Sequence, residues 1–199
     1  MAEIKSTMDM VLERAARMAG EHEGEGVSGD DILKEGMRAG AAFMRGEESS
    51  LGGLVAARPE KERVDFLKGA AKSLLRNIIL PRDEEQLKNA ELAMNGLVQL
   101  SQGNRDLLAV FGDLKKILDQ YMQHRVQAKE QLEAAFAQQM AQMEGALAKQ
   151  TGRSMKLKPN QHPKFNEEWQ RVLNELNSQY GRAVDQHKQL VENFLSGQG

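Results

Sequence analysis

From Arg105 to Gln150 the chain runs without a proline, and only Gly112 and Gly145 interrupt it. Within that run Leu107, Phe111, Leu114, Leu118 and Tyr121 step alternately by four and three residues, a heptad seam that faces a partner helix. Arg125, Ala128 and Leu132 continue the rhythm. Phe136, Met140, Met143 and Leu147 follow with two fours in succession, a local break in the heptad. A second run carries Trp169, Leu173, Leu176, Tyr180, Ala183, His187, Leu190 and Phe194 in the same alternation. Two heptad helices joined by one loop predict an antiparallel coiled-coil hairpin. The outgoing helix is expected to be roughly 65–70 Å long and the return helix roughly 48 Å. A turn centred near Leu157 places Phe194 opposite Gln120 and His187 opposite Gln127. Leu107 to Leu118 are then short of a hairpin partner, so they are expected to pack on the segments before them.

Those segments read as short helices. Ile4, Met8, Val11/Leu12, Ala15 and Met18 recur at helical spacing over 3–19, before the glycine- and glutamate-rich "GEHEGEGVSG". A second helix is expected over about 30–45, capped by Ser28 or Asp30, with Leu33, Met37, Gly40/Ala41 and Met44 inward. Residues 46–59 read as a loop, and Pro59 suits the first turn of a third helix. That helix carries Val64, Leu67, Ala71, Leu74/Leu75 and Ile78 until Pro81. Asp83 caps a fourth, which runs to about Gln102 with Leu87, Met94 and Leu97/Val98 inward and Gly103-Asn104 as its stop. Helix formers dominate, and no segment alternates β-branched and aromatic residues as strands do. The expected fold is all-α: a small N-terminal helical bundle over 1–104, then a long antiparallel coiled-coil hairpin over 105–199 with its tip loop near 151–164.

Several function classes lose support at this level. The formal net charge is −2, so bulk electrostatics does not mark a nucleic-acid binder. Zero cysteines exclude disulfides, thiol catalysis and cysteine-ligated zinc. The first residues lack the apolar core of a signal peptide, and the longest apolar run is too short to span a bilayer, so the expected location is the cytoplasm. The glycine pattern of a dinucleotide site occurs at Gly24, Gly26 and Gly29. It follows a helix rather than a strand, however, among Glu21, Glu23, Glu25, Asp30 and Asp31, which would repel phosphate. "EHE" at 21–23 offers oxygen and imidazole ligands on a flexible stretch that fixes no coordination geometry. Nothing brings a nucleophile, a base and an acid together, and neither catalysis nor a cofactor is expected.

Arg125 and His187 occupy seam positions within about a turn of each other in the expected register, where polar residues pin pairing. Lys68, Lys72 and Arg76 form a basic face opposite the apolar stripe of the third helix. This reads first as an amphipathic core helix, with a membrane surface as the alternative. The hairpin tip is the sharpest feature. Lys149, Arg153, Lys156, Lys158 and Lys164 fall in a stretch without Asp or Glu from Gly145 to Asn166. Prolines and basic residues suit a turn at a helix C-terminus, but the exclusion of acids also suits contact with an anionic partner. Arg153, Lys156, Lys158, His162 and Lys164 are the candidate contact residues.

The opening "AEIKSTMDMVLERA" resembles the start of a group of uncharacterised bacterial proteins of similar size, which implies no activity and no site. In shape, the basic-tipped arm is similar to arms of some RNA- and ribosome-binding proteins. The expectation is a non-enzymatic interaction or scaffold protein with a protein partner, and RNA or ribosome binding through the tip as the alternative. Self-association is also open, because a single two-helix seam leaves apolar surface exposed.

Overall fold

The computed structural model describes residues 28–151, 163–195 and 197. The chain is all-α. Its described helices, in order, are α1 (Gly29–Met44), α2 (Leu51–Ala56), α3 (Glu60–Leu75), α4 (Glu84–Leu100), α5 (Arg105–Thr151) and α6 (Pro163–Leu195). The helix expected over 3–19 lies outside the described residues, as do Gly24, Gly26 and the "EHE" stretch.

Local chemistry accounts for most helix ends. Ser28 caps α1 by accepting from the Asp31 amide, and Asp30 and Asp31 add negative charge where the helix dipole favours it. Gly46, at φ 75°, closes α1 in a left-handed turn, with the Glu47 amide reaching back to the Ala42 carbonyl. Pro59 stands one position before α3, as its N-cap. Asp83 caps α4 by accepting from the Gln86 amide at 2.8 Å. Asn104 caps α5 by accepting from the Asp106 amide at 2.9 Å.

Two segments differ from expectation. The loop read over 46–59 contains α2. Its paired glycines look like helix breakers, but Ser50 caps it, and Leu51 and Val55, one turn apart, are fully buried. Tertiary burial outweighs the weak propensity of Gly52 and Gly53. In α3 the expected Ala71, Leu74 and Leu75 are buried, but Phe66, Gly69 and Ala70 are buried with them, whereas Val64 is 46% exposed. The helix ends at Leu75, and Ile78 is buried from the following turn. The cause is a backbone-to-backbone crossing of α1 and α3. A Cβ added at Gly69 would lie 2.9 Å from the Leu33 carbonyl carbon, and one at Gly36 would lie 2.9 Å from the Ala70 amide nitrogen. Glycines let the axes approach closely, so the contact face of α1 is Ile32, Gly36, Gly40 and Phe43 rather than the methionine stripe.

α5 and α6 pack antiparallel, but in a different register from the expected one. Phe136 meets Phe165 edge to face at 5.4 Å, and Tyr121 meets Tyr180 at 5.5 Å. A turn centred on Leu157 would have set Tyr180 opposite Ala134. Instead α5 stays helical to Thr151, well past the level at which α6 begins. The side chains that interlock, rather than the midpoint of the connection, fix the pairing.

Leu107, Phe111, Leu114 and Leu118 therefore do have partners on α6. They share one buried cluster with Val184, Val191 and Leu195, and the same cluster continues through α4 and α3 to Ile32. Over its last turns α6 also touches α3, where Lys188 Nζ donates to the Ile78 carbonyl at 3.1 Å. Burial there moves one position round the helix: Val184, Val191 and Leu195 are buried, while Leu190 is 54% exposed. A helix covered by two neighbours at once does not keep a strict heptad face. Lys115 of α5 donates to Glu91 of α4, which holds the lysine pKa above its usual value.

Candidate functional site

The described residues bring cations and aromatic rings together at one place, where the linker between α3 and α4 meets both long helices. Pro81 and Ile78 anchor that linker by full burial. Lys188 of α6 holds the Ile78 carbonyl, and Arg125 of α5 donates to the Arg82 carbonyl. The linker is thus clamped from two sides, which leaves the exposed Arg82 side chain beside the half-buried Arg125. Across from them α6 presents Trp169, Leu173 and Asn177, residues four apart on one face.

Two hollows meet there. The larger, of about 540 Å³, lies between the linker and α6, against Tyr121, Leu173, Asn174 and Asn177. The smaller, of about 240 Å³, runs along α5 past Met122, Val126 and Lys129. Arg82, Arg125 and Trp169 line both, so the hollows form one groove. Its walls are braced: Tyr121 Oη donates to Asn177 Oδ1 at 2.8 Å, and Tyr180 Oη hydrogen-bonds His124 Nδ1 at 2.6 Å. Apolar surface reaches the rim at Val126, which is 53% exposed.

The electrostatics of the groove are one-sided. Among the described residues, no carboxylate lines either hollow and neither Arg82 nor Arg125 forms an ion pair. Arg58 shows the contrast. It pairs with Glu35 at 2.6 Å, lies over the Phe66 ring at 4.2 Å and is wholly engaged in holding the fold. Lys129, at the far end of the groove, has only a long contact of 3.9 Å with Glu133.

Arg153, Lys156, Lys158 and His162 lie outside the described residues, and Lys164 is exposed in the first turn of α6. Arg125 and His187 are not brought together. Arg125 reaches the linker, and His187 Nδ1 contacts the Ala183 carbonyl of its own helix at 2.7 Å. The change of register accounts for this. Lys68 and Lys72 flank a hollow of about 230 Å³ where Leu195 and Glu192 of α6 pack beside α3. Among the described residues, no helix is long and apolar enough to cross a membrane, and no cluster of His, Asp and Glu has the arrangement of a metal site. Sequence reading had Trp169 and Arg125 as seam positions and missed Arg82, whose place beside them depends on tertiary structure.

Residues 53–193 match the family of unknown function DUF6657. The chain belongs to that family. The match spans every residue that lines the groove, from Leu80 to Asn177, and begins after the N-terminal stretch that carried the resemblance to uncharacterised proteins. It brings no assigned activity. No curated protein and no solved structure shows a significant match to the chain.

Proposed function

We propose that the protein is a non-enzymatic helical interaction module of the cytoplasm. Its two long helices act as a coiled-coil arm and bind a partner protein through the groove at Arg82, Arg125 and Trp169. The observation that carries this reading is Trp169 itself. It is the chain's one tryptophan, and it stands half-buried in the same groove as two arginines that have no carboxylate partner among the described residues, on a braced pair of helices. Tryptophan, arginine, tyrosine and methionine are the residues that concentrate binding energy in protein interfaces, above all where the scaffold is already ordered. Met122, Tyr121 and the exposed Val126 complete that composition.

A photo-crosslinking residue at Val126 of the full chain, used in native lysate, tests the reading. The expected result is one protein adduct that Trp169→Ala abolishes while the circular dichroism of the variant stays native. The same adduct should persist in a Lys156→Glu/Lys158→Glu/Lys164→Glu variant. Loss of the partner in that tip variant, or nuclease-sensitive capture of RNA by the wild type, would replace this reading with contact through the hairpin tip.

A further inference from the structure

The charge of the groove specifies what it receives. The Arg125 guanidinium spends one donor on the Arg82 carbonyl, a tie that holds the linker, and its remaining donors stay available. Arg82 brings a second guanidinium to the same rim, and Lys129, one helical turn beyond Arg125, brings an ammonium. These three cations repel one another, because among the described lining residues there is no carboxylate and only Lys129 has an acidic neighbour, Glu133 at 3.9 Å. An anion that enters relieves the repulsion and gains charge-assisted hydrogen bonds, for which arginine forks suit carboxylates. The apolar contacts lie beside the charges, at Met122, Val126, Trp169 and Leu173.

The length of the groove narrows the ligand further. From Trp169 to Asn177 it follows α6 for about 12 Å, roughly two helical turns. That fits a short stretch of chain better than a compact molecule. The arrangement therefore matches a segment that is acidic on one side and apolar on the other.

We infer that the groove docks an acidic amphipathic segment of a partner protein, its carboxylates on Arg82, Arg125 and Lys129 and its apolar side chains on Met122, Val126 and Trp169. The inference rests on the reading of the groove as the contact surface, and it adds the chemistry of the partner. Because Trp169 is the single tryptophan, emission of the unlabelled full chain reports this groove alone.

The test is a titration with three probes: a short peptide of glutamates and leucines, its lysine counterpart, and oligouridylate. The glutamate peptide should shift Trp169 emission saturably, and added salt should weaken it. The Arg82→Gln/Arg125→Gln variant, with native circular dichroism, should bind it about tenfold more weakly, the effect of removing charges at a partly exposed rim. Equal binding by that variant, equal or tighter binding of the lysine peptide, or tighter binding of oligouridylate would each overturn the inference. The two readings fail separately. If the Val126 crosslink survives Arg82→Gln/Arg125→Gln unchanged, the groove remains a contact surface and its acidic specificity is refuted. If Trp169→Ala leaves the crosslink intact, the contact surface itself is refuted.

Discussion

Replacing Gly69 by alanine tests the close backbone approach of α1 and α3. The new Cβ would sit 2.9 Å from the Leu33 carbonyl carbon, nearer still to its oxygen, and 3.0 Å from the Met37 amide nitrogen. Cβ atoms essentially never come that near, and every one of those neighbours is backbone, which cannot rotate away. The helix axes must part by on the order of 1 Å, disturbing Ile32, Phe66 and Ala70 along the crossing. Overpacking of this kind costs about 3 kcal/mol. Alanine returns about 1 kcal/mol through its better helix propensity, which leaves a net loss of about 2 kcal/mol. The melting temperature should fall by roughly 4–8 °C in a chain of this size. Gly112→Ala is the matched control, because nothing lies within 4 Å of a Cβ there. It should gain about 1 kcal/mol from propensity alone. Urea titrations followed by far-UV circular dichroism, at a shared m value, compare the two. If both substitutions raise the midpoint, α1 and α3 do not cross at backbone distance, and the explanation of the buried faces of both helices fails.

Two further perturbations follow from local chemistry. Asp83→Ala removes the acceptor that caps α4 and should cost about 1 kcal/mol in the same urea assay, while Asp83→Asn, which can still accept from the Gln86 amide, should cost a few tenths. The Glu91–Lys115 pair sets a pH dependence. Glu91 raises the folded-state pKa of Lys115, so its stabilisation is fully present below the usual lysine range and is lost as pH climbs through the raised value. Both groups are substantially exposed, so the effect should stay below about 1 kcal/mol and shrink with salt. Urea midpoints measured across the alkaline range should fall more steeply for the native protein than for Glu91→Gln.

The all-α class and most helix ends were legible because they rest on local chemistry. Ser28, Asp83 and the Gly103-Asn104 stop act within a few residues of themselves, and the heptad steps of Leu107 to Tyr121 mark a face that is buried. Features that depend on a neighbour were not legible. Gly52-Gly53 reads as a break until Leu51 and Val55 have a core to enter, and Gly36 and Gly69 read as weak helix positions until α1 and α3 meet. Val64 and Leu190 fit the helical period of their segments and are still exposed, because period alone does not say which of two adjacent faces a second neighbour will cover.

The groove was hidden for the same reason in sharper form. A hairpin turning at Leu157 would set Trp169 level with Gly145, twenty residues along α5 from Arg125. The observed pairing of Phe136 with Phe165 and Tyr121 with Tyr180 carries Trp169 back along α5 to Arg125 and Lys129. Arg82 then joins them only because the α3–α4 linker is pinned by Lys188 and Arg125. Heptad spacing is degenerate to a slide of whole turns, since every such slide keeps the apolar stripes in contact. The aromatic pairs break that degeneracy, and in doing so they assemble the groove. Register and groove are therefore one property of these two helices, and a change that let α5 and α6 slide by a heptad would leave the helices intact while dispersing Arg82, Arg125 and Trp169.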